Sequence, residues 1–415
     1  MPSLPVTRCL VFLGIFTTSV FTLPALAQMP GQGSAEIRLQ DAVSRVLASN
    51  PVLRSANNEI AATAGAALQA GLRPNPVLST EIEDTRRSTR KTTVMIGIPL
   101  ELYGQRRARV AAADAGTSIA VAEAAGTRSD VLATVAQAFF DVVAAQERIS
   151  LSESTLQIAA KVTEIAGKRV SAGKVAPIDA TRANLAESNS KLELGEAKAE
   201  LQAARYALAA TWGSQTPDFG TAVADLSVFP ERPEWNVLKE QLARSPQFVM
   251  ARAEVTRRQA LAALEQSRRH VVPTLNIGTK RDQEVSRTEL VVGLSVPLPL
   301  FDRNQGNIAE AQSRVDKALN TFEATQARLS ADLQRASTKL GAARDSSRTL
   351  ETVILPGAQE AYRTATRGFE AGKFGFIDVL DSQRTYFQAR LQYLQVLANA
   401  YAAAATIDRI LGTSP

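Results

Sequence analysis

Two short stretches of the chain alternate apolar and small or polar residues. Val94, Ile96, Ile98 and Leu100 share one face, opposite Thr93, Met95 and Gly97; Leu290, Val292, Leu294 and Val296 repeat the pattern opposite Glu289, Val291, Gly293 and Ser295. A period of two predicts one-sided strands at about 92–100 and 288–297. More polar partners at about 77–84 and 274–282 keep Leu78, Ile82, Leu275 and Ile277 in step, and the charged stretches Thr85–Lys91 and Gln283–Arg287 form the turns. Elsewhere the period is three to four: Leu132, Val135, Phe139, Val142 and Val143, then Ile149, Leu156 and Ile165. That spacing predicts helices with an apolar seam. Ala111–Ala172 contains no proline and Asn304–Gly368 only Pro356, so each is expected to run for roughly 60 residues, about 90 Å. Gly167 and Gly341 are expected to bend them. Gly173 and Gly372 suit the left-handed cap that turns a helix back.

The pattern occurs twice. Ala172-Gly173-Lys174 followed by Val175-Ala176-Pro177-Ile178-Asp179 returns 199 residues later as Ala371-Gly372-Lys373 followed by Phe374-Gly375-Phe376-Ile377-Asp378. Pro99 and Pro297 are 198 apart, as are Leu100/Leu298, Leu102/Leu300, Tyr103/Phe301, Val110/Ile308 and Ala113/Ala311; Trp212-Gly213 and Leu411-Gly412 close the halves. The chain is read as two tandem repeats, 28–213 (helical hairpin about 106–212) and 234–412 (helical hairpin about 304–411), joined by a Pro- and Gly-containing linker at 214–233. Each repeat opens with a broken helical segment: Leu39–Ala70 with its break at Ser49-Asn50-Pro51, and Trp235–Arg269 with its break at Arg244-Ser245-Pro246. The fold class is mainly α with a small β part.

Only 5% of residues are aromatic, and Ala-rich stretches suit helices packed closely side by side. Residues 1–27 read as a secretory signal: Arg8, the apolar run Val11–Leu23, and Ala25-Leu26-Ala27 at the cleavage point. Its removal would delete Cys9, the sole cysteine, so no intrachain disulfide or thiolate metal site is expected. No later stretch approaches the ~18 apolar residues of a spanning helix. By themselves the strands fit two architectures: a barrel with lipid outside and water inside, or an amphipathic hairpin on a soluble core. Four strands are too few to close a barrel, which needs about eight, so a membrane barrel must be shared between chains.

That order of elements, duplicated behind a signal peptide, resembles the TolC outer-membrane factor family over nearly the whole mature chain. Ala70-Gly71-Leu72-Arg73-Pro74-Asn75-Pro76 before the first strand, and Val296-Pro297-Leu298-Pro299-Leu300-Phe301-Asp302-Arg303-Asn304-Gln305-Gly306 after the last, look like the outer-membrane subunits of cobalt–zinc–cadmium efflux systems. The resemblance implies a homotrimer. Its shared outer-membrane barrel of about twelve strands would continue into a periplasmic helical tunnel. It further implies an exit duct that docks to a periplasmic adaptor and an inner-membrane RND transporter. Related ducts for organic compounds share parts of both motifs. In mechanical terms Pro74, Pro76, Pro99, Pro297 and Pro299 make the strand-to-helix turns, and Asp302 and Asn304 can cap the helix that follows.

In TolC-like channels a segment like Asp378-Val379-Leu380-Asp381 narrows the periplasmic entrance. Asp378 and Asp381, three apart, share a helix face; three chains would ring one axis with six carboxylates, selecting by charge and responding to pH. The plain alternative is two acids complementing a helix dipole. Asp179 matches Asp378, Arg182 stands where the second acid would be, and an Arg182–Asp381 bridge is the hypothesis for a closed state. The adaptor-docking tips are Gly173 and Lys174 in one hairpin and Gly372, Lys373, Phe374 and Phe376 in the other.

The lone histidine, His270, excludes sites that need a His pair, and it reads as a boundary residue before the third strand. The Gly-Lys pairs lack phosphate-loop spacing. No enzyme, cofactor or bound metal is expected. The formal charge of +6 is spread along the chain, which argues against nucleic acid. Arg86, Arg87, Arg90, Lys91, Lys280, Arg281 and Arg287 gather at the strand tips, where outer-membrane lipid headgroups or plain solvent would meet them. A rival reading from another class is a soluble periplasmic adaptor or scaffold, although such a chain normally carries one hairpin rather than two.

Overall fold

The computed structural model describes residues 36–225 and 228–414; the expected leader, with Cys9, lies outside them, as does the side chain of Phe376. Each repeat opens with a broken helix. α1 (Leu39–Ser49) stops before Pro51, where α2 (Pro51–Gly71) restarts; α5 (Trp235–Gln241) passes through a 3-10 turn (Leu242–Arg244) to α6 (Pro246–Ser267). Proline at the first helical position has no N–H to satisfy, and the residue before it caps the rest. Asn50 accepts from the N–H groups of Val52 and Leu53 at 2.7 and 3.0 Å, and Ser245 accepts from that of Phe248 at 3.3 Å.

β1 (Val77–Glu83), β2 (Lys91–Pro99), β3 (Thr274–Asp282) and β4 (Arg287–Ser295) form one antiparallel sheet in chain order. The two hairpins therefore join through β2 and β3, with Ile96 opposite Ile277 and Ile98 opposite Leu275. β1 and β4 are left as edges.

The helical hairpins follow. α3 (Gln105–Ser171) runs unbroken for 67 residues, about 100 Å, straight through Gly167, and returns as α4 (Pro177–Thr211). α7 (Gln305–Thr349) leads through a π-turn (Leu350–Ile354) into α8 (Leu355–Glu370) and back along α9 (Phe376–Leu411). The irregularity expected at Gly341 falls instead just before Pro356. A proline lacks one helical N–H, and its ring crowds the carbonyl four residues back. A widened turn relieves both.

Alanines make close packing possible. On α3, Ala112, Ala115, Ala136, Ala145, Ala159 and Ala166 are all buried. One core gathers Val135, Phe139, Val142, Leu208 and Trp212; its counterpart gathers Leu329, Leu333, Leu340, Ala400 and Ile407. The segment expected to be a plain linker is built into the first of these cores. Ile37 bridges Ala222 in parallel, its N–H donating to the Thr221 carbonyl and its carbonyl accepting from the Val223 N–H, both at 2.9 Å, and the N–H and carbonyl of Ala222 are both held at 2.8 Å by the Gln146 amide. Arg232 pairs with the buried Asp408 of α9.

Two left-handed residues start the long helices. Gly104 (φ 76°) precedes α3 and Asn304 (φ 60°) precedes α7. Asn304 stands at the cap position but does not cap. Its amide donates to the Glu265 carbonyl and side chain, both at 2.8 Å, tying α7 to the end of α6. Asp302 accepts from the Asn304 N–H at 2.8 Å, and Gln305 accepts from that of Arg303. Gln105 accepts in the same way from the Tyr103 N–H.

Candidate functional site

The sheet is inside out for a water-soluble protein. Strand pairing puts Leu78, Ile96, Ile277 and Val292 in one row, flanked on the same face by Val94, Ile98, Leu290 and Leu294. That apolar face is the exposed one: along β2, Ile96 is 47% exposed while Thr93, three residues before it and on the other face, is 6% exposed. The opposite face carries Ser79, Glu81, Glu83, Lys91, Lys280, Asp282 and Glu289. Its charges pair across strands, Lys280 with Glu83 at 2.9 Å and Lys91 with Asp282 at 3.4 Å. Several cations of the strand tips are thus already partnered: Arg281 also donates to the Ser286 carbonyl and the Thr288 hydroxyl, both at 3.2 Å. Gly278 is required where it stands, because a Cβ would lie 2.1 Å from the Val94 carbonyl. Among the described residues no helix is long and apolar enough to cross a membrane.

Arginines clamp the junction between sheet and helices. Arg109 pairs with Glu101 at 2.6 Å and donates to the carbonyls of Ala70 and Leu72, both at 2.9 Å; Arg106 takes that of Gly71. Pro74 and Pro76 lie in the extended passage these contacts fix, and Pro99 ends β2, where the Leu100 N–H bonds the Pro273 carbonyl at 2.7 Å. Pro297 and Pro299 follow β4, and the Leu300 N–H closes a tight turn onto Leu298. His270 stacks on Tyr103 with ring centroids 4.8 Å apart, at this same boundary. The arginine clamp escaped sequence reasoning because, Glu101 apart, its acceptors are backbone carbonyls, which no residue type announces.

At the far end both hairpins turn in the same way. Gly173 (φ 68°) and Gly372 (φ 74°) are left-handed. The Lys174 N–H reaches back to the Arg169 carbonyl at 2.9 Å, and the Lys373 N–H to that of Gly368 at 2.8 Å, the Schellman closure. Gly173, Lys174, Gly372 and Lys373 are exposed. Phe374 is 45% exposed, and one side of its ring lies so close to Gly368 that a Cβ there would fall 2.0 Å from it; the aromatic is half committed to its own turn. The two tips of one chain are tied together. The Arg169 guanidinium lies 4.1 Å from the Phe369 ring and donates to the Phe369 carbonyl, above a small core of Val162, Ala166, Ala183 and Val379.

The four candidate gate residues lie beside this tie. Asp378 accepts from the Gly375 N–H at 2.9 Å and so closes the first turn of α9; Asp381, one turn on, is exposed. Arg182 lies 4.0 Å from Asp179 of its own helix, and among the described residues of the single chain no Arg182–Asp381 ion pair forms. A cleft of about 820 Å³ between α3, α6 and α7, lined by Asp130, Glu254, Arg258 and Phe322 among others, lies well away from these tips.

A strand ribbon with its apolar face outward, continued by paired helical rods and built twice, is an outer-membrane duct subunit rather than a globular protein. The outer membrane efflux protein family model matches residues 42–214 and 237–413, and the chain belongs to that family. It is 46% identical over 383 residues, 92% of either chain, to the cobalt-zinc-cadmium resistance protein CzcC of Cupriavidus metallidurans. It is 29% identical to the nickel-cobalt-cadmium resistance protein NccC of Alcaligenes xylosoxydans, over 71% of this chain and 69% of that one. The fold superimposes on the outer membrane protein VceC of Vibrio cholerae with a TM-score of 0.77 at 19% identity, covering 91% of this chain and 96% of that one.

Proposed function

We propose that three copies of this chain form the exit duct of a tripartite pump that expels heavy-metal cations. The observation that carries this reading is the sheet: its exposed face is apolar, its other face is charged, and both its edges are free. Free edges are untenable in lipid, where every unpaired backbone group costs several kcal/mol. Four strands from each of three chains supply about twelve, within the range of closed outer-membrane barrels. The charged face then lines a wet lumen, and α3/α4 with α7/α8/α9 extend it into the periplasm. Close similarity to a cobalt-zinc-cadmium resistance protein supports metal cations as cargo. An inner-membrane RND transporter would supply energy and selection, and a periplasmic adaptor would grip the tips at Gly173, Lys174, Gly372, Lys373, Phe374 and Phe376.

The entrance is narrowed by Asp381, with Asp378 holding the start of α9 and Asp179 and Arg182 on the facing hairpin. In the closed state Arg182 leaves Asp179 to reach Asp381 of a neighbouring copy. Conductance in planar bilayers tests this: Asp381→Asn and Arg182→Gln are each expected to raise passive leakage, and unchanged conductance in both removes the bridge. A deletion strain challenged with divalent cations and organic toxicants tests the cargo. Sensitivity confined to organic compounds would instead make the chain a duct for those.

A further inference from the structure

The sheet sorts its charges by face. Every acid of the strands (Glu81, Glu83, Asp282 and Glu289) lies on the less exposed side, together with Lys91, Lys280 and Arg287. The exposed apolar side changes its composition toward the tips. Beyond the row of Leu78, Ile96, Ile277 and Val292, Thr80 and Thr279 enter, and the row after that holds Thr92, Arg281 and Thr288. Arg90 comes next in the alternation along β2, its carbonyl accepting from the Gln283 N–H at 3.1 Å. Cations of the one face have strand acids beside them; the two arginines of the other have none.

The chain itself leaves both guanidiniums open. Arg281 commits one nitrogen to its own turn, through the Ser286 carbonyl and the Thr288 hydroxyl. The Nε of Arg90 is buried with no hydrogen-bond partner among the described residues. Asp84, across the turn from Arg90, is already engaged: its carboxylate accepts from the Arg86 N–H at 3.0 Å and the Thr89 hydroxyl at 2.6 Å. Depth supplies a second constraint. Thr92, paired with Arg281, lies four residues from Ile96 toward the tip, and Arg90 lies six. At about 3.3 Å per residue and a tilt of about 40°, these steps climb about 10 and 15 Å. An apolar band about 25 Å tall, centred on the Ile96 row, ends between those two heights. Long arginine stems reach such a boundary with their charged heads outside the hydrocarbon.

We propose that Arg90 and Arg281 bind a phosphate of lipid A, the phosphorylated glycolipid of the outer leaflet, from the lipid side of the duct. This rests on the shared-barrel reading and deepens it. The rods leave the strands at the opposite end, so the tips stand in the outer leaflet, and the face that carries both arginines is the one that meets lipid. A guanidinium offers a phosphate two parallel N–H donors, and the Thr92 hydroxyl stands beside Arg281 in the same row. Lys91 and Lys280 look into the lumen and take no part.

Retained lipid reads the site directly. The full chain is purified from outer membranes in mild detergent, and the lipid A held per chain is counted by mass spectrometry. Arg90→Gln with Arg281→Gln is expected to hold about fivefold less than the wild type, whereas the lumen-side pair Lys91→Gln with Lys280→Gln holds as much. Because Arg281 also closes its own turn, Arg90→Gln alone is measured beside them and is expected to lose about half. Equal retention by the wild type and either arginine variant, or an equal loss from the lumen-side pair, overturns the site. Delipidated wild type is then offered vesicles containing lipid A, dephosphorylated lipid A or phosphatidylglycerol. Uptake is expected from the first alone; uptake of the dephosphorylated form overturns the phosphate contact, and preference for phosphatidylglycerol overturns the choice of lipid. A wild type that conducts ions in a planar bilayer yet shows none of these differences removes the lipid site and leaves the duct standing. One that neither conducts nor sediments with outer membranes overturns both.

Discussion

The sheet and the helical stem bury opposite things. In the stem Phe139, Leu333 and Ile407 are fully enclosed, and Asp408 is the one buried charged residue among those described; in the sheet Ile96, Leu290 and Val292 are exposed, and ion pairs such as Lys280–Glu83 occupy the less exposed face. One chain thus follows two polarity rules, and the rule changes at the prolines 76, 99, 273 and 297. The difference teaches that burial is defined by the surrounding medium: the same preference for removing apolar surface from water acts in both regions.

The comparison breaks most readily in the stem. Phe139→Ala empties part of a close-packed core and is expected to cost about 3–5 kcal/mol, read as a lowered thermal midpoint. In the sheet, Ile96→Arg sets a charge against lipid and is expected to cost about 2–4 kcal/mol if the residue lies near the bilayer centre. Membrane fractionation then finds less assembled protein, while Ser79→Lys on the opposite face assembles normally. Equal losses from both substitutions would erase the distinction between the faces. Asp408→Asn removes the charged partner of Arg232 at the foot of the second hairpin, an effect of about 2 kcal/mol checked by denaturant unfolding. The smallest change is at the tips: Gly173→Ala forces a Cβ into a left-handed backbone at about 1 kcal/mol, and Gly372→Ala should match it, since the two turns close alike.

Much of this plan was legible in the order of residues. Strand alternation marked the correct apolar set, Gly173 and Gly372 marked both turns, and a constant offset near 198 exposed the duplication. Alternation could not say whether Val94 and Ile96 face a core or lipid, because period two is the same in either case. Asn304 was misread because Asn is a good cap and equally a residue that tolerates left-handed backbone; the offset of 198 aligns Gly104 with Asp302, so the repeat gave no clue to it. Phe374 looked free at a turn because Gly368, which it covers, precedes it by six residues, across the Gly372 turn, and has no side chain. The Arg169–Phe369 tie joins residues 200 apart in the chain, and Arg232–Asp408 joins residues 176 apart. Such pairs follow only from the packing of whole helices. Among the candidate gate residues, Asp378 closes a helix start, in keeping with the plainer of the two readings offered for it.

The Arg169–Phe369 tie has a mechanical corollary. Because a guanidinium stacked on a ring also holds that ring's own carbonyl, prising the two hairpin ends apart must sever a charged contact and a hydrogen bond in one step. A movement that keeps both swings the ends as a single jaw. Any pivot for that jaw then lies higher on the rods, and the π-turn above Pro356 is where the second rod already departs from regular winding.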